Sequence, residues 1–398
     1  METIGWYRYE GVVEGEGIGI EMERLAARMG GTVKWPFNES ECLDADYFKI
    51  VADHLIRSAG VRPLLHALVT DVVVERGAVA GVMIESKSGR QVVRAKRIID
   101  CSGDADVAFL AGCRCRKSES SSMLGVTTVF SVAGVDKQRF LAHTEASPAT
   151  YSTWSRRGGE WCQQTANKEE SLRSPFLQEE FENALGAGVI PATPITAELG
   201  GTWSALSDAG EATNLNLVHQ AGVDGTNVLE LTVAEMQGRA ETLHALAALR
   251  HSVPGFEGAK LRNFGMQIGI RDTRKIVGKY ELTGEDVMHE ARFDDSVGIF
   301  PEFVDGYNIL VLPTTGRYFQ VPLRCMQSPD VDNLLVAGRC VAGDKVSHAA
   351  MRNMMACTVS GQGAGAAAAV SIFEGTSTNN VDLTKVQEEL RRQGVRLS

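Results

Sequence analysis

The sequence predicts an α/β fold in which a sheet-based domain, formed by both ends of the chain, is interrupted by a larger inserted domain. A strand–turn–helix pattern occupies residues 97–112, a second one starts at residue 332, and residues 136–260 change character towards long helical stretches. Layers of helix and sheet around a common core are the usual solution for such a pattern. We therefore expect residues 1–122 and 329–375 in the sheet domain, 123–328 in the inserted domain, and 376–398 in a surface tail.

The first hundred residues predict two helices followed by three strands. Apolar residues recur at near-helical spacing in residues 17–31, which end in a Gly-Gly pair, and again in residues 45–60, which end in Gly60. The segments LVTDVVVERG, AVAGVMIES and QVVRAKRIIDCSG follow and are rich in β-branched residues. Gly77 and the turn at residues 86–89 separate these segments as hairpin connections do.

More strands are predicted in the inserted domain and at the end of the chain. The segments MLGVTTVFSVAGVD, YNILVLP and YFQVPLR have strand character, and VAEMQGRAETLHALAALRHSV has helical spacing. The chain then finishes with the strand DNLLVAGRC, a helix of small residues, and a charged tail from Asp382 that predicts a surface helix.

The charge balance argues against a nucleic-acid or anionic-membrane surface. The chain has 40 Lys and Arg residues against 50 Asp and Glu, a formal net charge of -10 at pH 7. The first residues lack the basic flank and apolar stretch of a signal peptide, and the most apolar run, residues 366–373, is shorter than the roughly 20 residues that cross a bilayer. The 8 cysteines form no C-x-x-C pair, which favours reduced thiols and no metal site. We expect a cytoplasmic protein and leave self-association into a homo-oligomer open.

Residues 15–21, GEGIGIE, approach the glycine fingerprint of a dinucleotide-binding loop. That fingerprint, G-x-G-x-x-G, follows a buried strand, starts a helix and precedes a ribose-binding acid by about 20 residues. Here the spacing is G-x-G-x-G, the preceding strand is at best Val12-Val13, and three glutamates flank the place of a phosphate. A flexible acidic turn before a helix explains the stretch better than a phosphate site does.

Two other segments have the pattern of a ligand site at the carboxyl end of a strand. In RIIDCSGDADVAFLAG, residues 97–112, Gly103 would let the backbone come close to a ligand, and a plain β–α turn is an equal alternative. In residues 332–373 a short apolar strand ends in Gly338-Arg339, and the helix that follows contains three glycines. Glycine is costly inside a helix unless close packing requires it. Such a helix can lie against a sheet and direct its positive end towards a ligand.

Four segments in a fixed order carry more information together than any one alone. They are IIDCSGDADVAFLAG, IGIRDTRKIVGKYELTGEDV (268–287), GRYFQVPLRC (316–325), and DNLLVAGRC followed by GQGAGAAAA. They resemble the A-T-G-D-(G/A)-D, G-x-R-(E/D)-(T/S)-R, I-P-(Y/L)-R and C-terminal flavin segments of FAD-dependent oxidoreductases in the glutathione-reductase-like, fumarate-reductase-related flavoprotein superfamily. The resemblance extends from about residue 65 to residue 375.

The resemblance implies a Rossmann-like FAD/NAD(P)-binding domain with an inserted α+β substrate domain, FAD as cofactor, and hydride transfer between a small organic substrate and flavin. The chain departs from the family at its start, because the family opens with a strand, G-x-G-x-x-G and an acid, and residues 1–60 resemble what normally follows. The missing unit, about 30 residues long, would hold most of the FAD pyrophosphate. We therefore expect an N-terminally truncated domain. A non-catalytic relative that acts as a binding or assembly subunit is the alternative.

The same resemblance implies a set of cofactor-binding residues. They are Gly103, Asp104, Gly338, Arg339, Arg352, Asn353 and Met354. Arg339 would reach the ribityl or pyrophosphate part of FAD, with a cap at the end of a strand as its alternative. Arg352 matches the flavin-facing position before the long helix, where positive charge would stabilise a reduced flavin; a surface arginine is the alternative.

Four residues are candidates for contact with the substrate: His348, Arg271, Arg324 and Tyr318. His348 lies one turn before Arg352 and could move the proton that accompanies hydride transfer, although lone histidines are more often structural. Arg271 and Arg324 offer a fork that fits a carboxylate, unless Asp272 holds the neighbouring arginines in ion pairs. Tyr318 is a candidate acid. No metal ligands and no nicotinamide fingerprint are predicted.

Overall fold

The computed structural model describes residues 16–34, 41–146, 177–200, 205–307, 309–311 and 316–398, together with the strand residues 8–9, 12–13 and 162–164. Its α-helices are α1 (Ile18–Arg28), α2 (Ala45–Ser58), α3 (Asp106–Leu110), α4 (Lys137–Ala146), α5 (Gln178–Gly186), α6 (Val228–Ser252), α7 (Gly284–Met288), α8 (Lys345–Met351), α9 (Met354–Phe373) and α10 (Leu383–Arg392). Its strands are β1 (Arg8–Tyr9), β2 (Val12–Val13), β3 (Thr32–Lys34), β4 (Glu41–Leu43), β5 (Leu68–Glu75), β6 (Ala78–Ser86), β7 (Gly89–Arg94), β8 (Ile98–Asp100), β9 (Cys115–Arg116), β10 (Val126–Ala133), β11 (Cys162–Gln164), β12 (Ala205–Leu206), β13 (Glu211–Gln220), β14 (Lys260–Phe264), β15 (Lys275–Ile276), β16 (Ser296–Pro301), β17 (Val304–Gly306), β18 (Ile309–Val311), β19 (Tyr318–Pro322) and β20 (Leu334–Val336). The predicted α/β class is confirmed.

Strands β8 and β20 form a two-stranded parallel sheet. The two strands pair in register, from Leu334 opposite Ile98 to Val336 opposite Asp100. The three-stranded antiparallel sheet β5–β6–β7 precedes them, as the hairpin pattern predicts, and α9 packs against both parallel strands. Because β8 and β20 run in the same direction, the turns that follow them meet at one edge.

The inserted region forms an antiparallel sheet of its own. The strand order is β12–β13–β10–β14, and α6 packs against β10 and β13. Its core contains Phe130, Phe181 and the T-shaped pair of Phe140 and Phe256, whose ring centres are 5.2 Å apart. A separate core unites β8, β20, α9 and α10 with buried residues between positions 276 and 326. The domain limits at residues 122, 328 and 375 stay predictions.

The glycine-rich stretch before α1 has a packing explanation. Gly17 precedes the helix with φ 100°, and a Cβ atom there would lie 2.3 Å from Gln362 Oε1 on α9. The same oxygen accepts a hydrogen bond from the Ile18 N–H at 2.9 Å. A Cβ atom on Gly19 would lie 2.5 Å from Met355 Cε on α9. These glycines therefore allow α1 to approach α9; Gly15 lies outside the described residues.

The small-residue helix α9 is longer than its apolar run suggests. It has 20 residues, and its length and composition match those of a helix that crosses a membrane. However, 56% of its most apolar 18-residue window is buried inside the protein. This degree of burial is that of a core helix, and length and composition alone are weak evidence for a membrane span.

Candidate cofactor and substrate site

The turn after β8 is held by the last residue of that strand. Asp100 is 1% exposed, and its carboxylate accepts hydrogen bonds from the N–H groups of Ser102 at 2.9 Å and Ala108 at 3.0 Å. Gly103 has φ 83° and Ala105 has φ 54°, a left-handed conformation that glycine adopts without steric cost and alanine does not. The buried acid therefore fixes both the turn and the start of α3.

Arg339 lies over this turn. Its Nη2 pairs with Asp104 Oδ1 at 3.1 Å, and a Cβ atom on Gly103 would lie 2.4 Å from the same nitrogen. Only glycine fits under this guanidinium without displacing it. Arg339 Nε is buried and has no hydrogen-bond partner in the part of the chain that the structure describes. A buried, unpaired donor is costly unless a ligand or water accepts its proton, so this nitrogen suits an oxygen of a bound cofactor.

The start of α9 adds a second positive group to this edge. Gly338, with φ 77°, donates its N–H to Ser360 Oγ on α9 at 3.0 Å. Asn353 precedes the helix but does not cap it, because its Nδ2 donates backwards to the carbonyl oxygens of Ala349 and Ala350 at 2.9 Å. Within the part of the chain that the structure describes, no side chain caps the positive N-terminal end of α9, which suits an anionic group.

Arg352 lies two residues before α9 and is held against β17. Its guanidinium donates to the backbone oxygen of Asp305 and pairs with the Asp305 carboxylate at 3.1 Å. The arginine side chain is 14% exposed, and Met354, the first residue of α9, is half-buried. The ion pair places a guanidinium beside the start of the helix. The flavin-facing role of Arg352, Asn353 and Met354 stays a prediction.

His348, on α8, is buried and neutral. Its Nε2 lies 3.0 Å from the carbonyl oxygen of Arg271, which can only accept, so Nε2 carries the proton. Its Nδ1 is buried without a hydrogen-bond partner among the described residues. Burial and the nearby Lys275 ammonium lower the pKa of His348 to about 3. The ring therefore offers a free acceptor nitrogen at neutral pH.

The segment RDTRK, residues 271–275, connects the turn after β8 to the inserted sheet. Thr273 Oγ1 donates to Asp104 Oδ1 at 2.6 Å, and Arg274 Nε donates to the Asp104 backbone oxygen at 2.9 Å. Arg271 points the other way, and its Nη2 donates to Asn216 Oδ1 on β13 at 3.0 Å. This one segment therefore positions Asp104 under Arg339 and the Arg271 carbonyl beside α8.

Asp272, within the same segment, is the centre of a buried polar cluster. Its carboxylate pairs with Lys275 Nζ, accepts a hydrogen bond from Tyr307 Oη at 2.6 Å, and lies 3.8 Å from His348 Nε2. Burial acts to raise the pKa of Asp272, but the Lys275 ammonium and these hydrogen bonds hold that pKa below its ordinary value. Burial and the bond to Asp272 raise the pKa of Tyr307. The cluster thus contains a carboxylate, an ammonium, a neutral phenol and a neutral imidazole.

Arg324 and Tyr318 have their contacts elsewhere, around the loop that precedes β16. Arg324 forms a fork with Asp295, at 3.0 Å from Nε and 3.1 Å from Nη2. The ring of Tyr318 lies 4.0 Å from the guanidinium carbon of Arg292. The structure thus brings the backbone oxygen of Arg271 into contact with His348, whereas Arg324 and Tyr318 have other partners. All four catalytic roles stay predictions.

Several residues that organise this edge were not found in the sequence analysis. They are Asp100, Thr273, Asp305 and Tyr307. Asp100 has a sequence signal, since it is a single acid at the end of an apolar strand. Thr273 lies inside the RDTRK segment, which marks it as part of a motif but not as a partner of Asp104. Asp305 and Tyr307 meet their partners only through long-range folding. Among the described residues, no group of three or more His, Cys, Asp or Glu side chains is placed to hold a metal ion.

A parallel strand pair that ends in glycine turns beside a helix N-terminus defines an α/β protein of the dinucleotide-binding class. Comparison with family models identifies the family within this class. The model described as FAD dependent oxidoreductase matches residues 13–390. The chain therefore belongs to the FAD dependent oxidoreductase family, and FAD, the predicted cofactor, is confirmed. The narrower superfamily and the missing G-x-G-x-x-G unit stay predictions.

Several solved structures are similar to the chain at low sequence identity. A geranylgeranyl bacteriochlorophyll reductase-like protein from Thermoplasma acidophilum is 15% identical, with a TM-score of 0.38 and coverage of 91% of this chain and 62% of that one. The myxobacterial chondrochloren halogenase is 13% identical, with a TM-score of 0.43 and coverage of 98% and 71%. The p-nitrophenol 4-monooxygenase from Pseudomonas putida is 11% identical, with a TM-score of 0.38 and coverage of 98% and 68%. The chain thus spans less than two thirds of the reductase-like protein. No curated protein matches it.

Proposed function

We propose that the chain is an enzyme that transfers hydride between a small organic substrate and its FAD. The observation that carries this proposal is the Arg339 guanidinium, with a buried unpaired Nε, over the glycine turn where β8 and β20 end. Bound FAD supplies the two-electron chemistry, and the protein supplies position and charge. The residues at this edge are arranged to do both.

The cofactor-binding part of the proposal rests on positive groups at one edge. Arg339 Nε would donate to a ribityl or pyrophosphate oxygen, and glycine at position 103 leaves room for the guanidinium over the turn. The uncapped N-terminus of α9, with Arg352 beside it, would stabilise negative charge on the flavin ring. Asp104, itself held by a hydrogen bond from Thr273, pairs with the Arg339 guanidinium and holds it in place.

The substrate part of the proposal rests on the buried Nδ1 of His348. The Arg271 carbonyl fixes the ring with Nε2 protonated, so Nδ1 can accept a hydrogen bond from an O–H or N–H group of a bound substrate. A pKa of about 3 makes this nitrogen a hydrogen-bond acceptor at neutral pH rather than a strong base.

The first test is whether the chain binds FAD through Arg339. The purified protein is expected to show flavin absorbance, or to acquire it and gain thermal stability when FAD is added. Arg339→Met should weaken FAD binding by about 10- to 100-fold, the loss of one charge-assisted hydrogen bond. Arg317→Met is the matched control, because it removes a similar ion pair, 2.7 Å from Glu302. Equal FAD affinity in both variants would contradict the proposed site.

The second test separates an enzyme from a binding subunit. Under anaerobic conditions, a panel of small alcohols, amines and hydroxy acids is expected to include at least one compound that bleaches the bound flavin. His348→Gln should slow this bleaching while leaving FAD affinity unchanged. A protein that binds FAD and is bleached by none of these compounds would favour the non-catalytic alternative.

A further inference from the structure

The long helix α6 has an exposed apolar face in addition to its buried one. Its buried face packs against the inserted sheet and contains Ala234, Gly238, Thr242, Ala245 and Leu249. The approach is close, since a Cβ atom on Gly238 would lie 1.9 Å from Thr128 Oγ1 on β10. A surface helix usually presents charged and polar residues on the side that faces away from the core. In α6, several of the most exposed positions are instead apolar.

The outward side of α6 is a continuous stripe of apolar residues. It consists of Leu229, Val233, Met236, Ala240, Leu243 and Ala247, which we call the 229–247 stripe; its last residue, Ala247, is half-buried and also packs against the core of the inserted sheet. The exposed fraction is 74% for Leu229, 67% for Met236 and 59% for Leu243. The steps along the stripe alternate between four and three residues, which is the spacing of the contact positions in a helical coiled coil. With a rise of about 1.5 Å per residue, the stripe is about 27 Å long.

A neighbouring loop extends the same surface. Met266, after β14, is 89% exposed. Two residues further on, the Ile268 N–H donates to Glu235 Oε1 on α6 at 2.6 Å, which places this loop beside the helix. Monomeric proteins rarely leave a contiguous apolar surface of this kind uncovered.

We propose that the 229–247 stripe is the interface of a homodimer in which the α6 helices of two copies pack antiparallel. A two-fold axis near the middle of the stripe would place each apolar side chain between those of the partner copy. A second copy of this chain is the occupant that the spacing fits, because both helices then have the same regular pattern of knobs and holes. This inference is independent of the proposed hydride transfer.

The distribution of charge selects the antiparallel arrangement. Glu230 lies in the first turn of α6 and Arg250 in its last turn, whereas the charge of Glu235 between them is paired with Arg239 on the same helix. Antiparallel packing brings Glu230 of one helix towards Arg250 of the other, whereas parallel packing would place each of them opposite its own copy. The helix dipoles also oppose each other favourably in the antiparallel case.

The main test is the mass of the full chain in solution. Sedimentation equilibrium is expected to give twice the chain mass of 43.0 kDa for the wild type. The double variant M236E/L243E should sediment as a monomer, since both side chains are exposed and the charges would be buried only in the dimer. Leu65→Glu is the matched control, because Leu65 is 74% exposed and lies outside α6; this variant should stay dimeric.

A photo-cross-linking amino acid at position 229 tests the orientation. An antiparallel dimer predicts a cross-link from position 229 to the peptide around Ala247 of the second copy. A parallel dimer would instead give a cross-link near position 229 of the second copy, about 27 Å away along the helix. A wild-type protein that is monomeric at tens of micromolar would overturn the proposal. So would a dimer that persists in M236E/L243E, or a cross-link from position 229 to residues 147–176 of the same chain, which would show that the chain covers its own stripe.

Discussion

Gly103 and Gly112 have almost the same backbone conformation but different surroundings. Their φ angles are 83° and 84°, yet a Cβ atom on Gly103 would lie 2.4 Å from Arg339 Nη2, and nothing lies within 4 Å of one on Gly112. Gly→Ala at either position costs about 1 kcal/mol of backbone strain. Only Gly103→Ala should also displace the Arg339 guanidinium and so weaken FAD binding. We expect a loss of affinity of about tenfold or more, which corresponds to about 1.4 kcal/mol of binding free energy. Urea denaturation and FAD titration of the two variants measure both effects.

The comparison of these two variants separates strain from contact. If Gly112→Ala loses as much FAD affinity as Gly103→Ala, the effect comes from general destabilisation, and Arg339 does not hold the cofactor from this position. If neither variant loses affinity, the turn after β8 is not part of the cofactor site.

At the residue scale, the sequence identifies positions with a local signal and misses those whose partners are distant. Gly103 and Gly338 lie in strand–turn–helix patterns, and both adopt the positive φ that such turns use. The contact between Thr273 and Asp104 joins residues 169 positions apart, and Tyr307, just after β17, donates to Asp272, 35 positions away. Periodicity and motif spacing describe one segment at a time, so they carry no information about such pairs.

Within the helix α9, Gly363 and Gly365 also differ in how closely neighbouring residues approach them. A Cβ atom on Gly363 would lie 2.7 Å from Val297 on β16, whereas the position of Gly365 is open. Gly365→Ala is therefore expected to stabilise the protein by about 0.5–1 kcal/mol, since alanine has the higher helix propensity. Gly363→Ala should destabilise it by about 1–3 kcal/mol through overpacking.

The measurement is the free energy of unfolding of each variant in urea. A destabilised Gly365→Ala would mean that another group covers this part of α9 in solution. A neutral Gly363→Ala would mean that α9 and β16 can move apart at little cost, which would contradict the close packing inferred for the helix.

Helices and strands with a clear local pattern were predicted well. The helices expected in residues 17–31 and 45–60 occupy Ile18–Arg28 and Ala45–Ser58, and the three strand segments form one antiparallel sheet. The long helix of small residues, expected to start near Met354, is α9 (Met354–Phe373). The apolar run at 366–373 forms only the end of this helix.

At the scale of the whole molecule, the two hydrophobic cores are connected by polar contacts. The RDTRK segment binds Asp104 of the sheet domain through Thr273 and Asn216 of the inserted sheet through Arg271. Residues 276–326 follow the inserted sheet in the chain but pack into the core of β8, β20 and α9. Sequence order could not reveal this, because strands of similar apolar character fit either core.

The stability of the folded chain is expected to fall as the pH drops below about 6.5, the ordinary pKa of histidine. Burial lowers the pKa of His348 and of His219 to about 3, helped at His348 by the nearby Lys275 and at His219 by Arg271. Between these values the unfolded chain binds protons that the folded chain does not. The stabilisation is therefore complete above about pH 6.5 and decreases by up to about 1.4 kcal/mol per pH unit for each histidine as the pH falls. Urea denaturation at a series of pH values from about 7.5 to about 5 measures how steeply the free energy of unfolding falls with pH. In His348→Gln the pH dependence of the unfolding free energy should be smaller by the contribution of one histidine. An unchanged pH dependence in that variant would show that His348 is not held neutral in the fold.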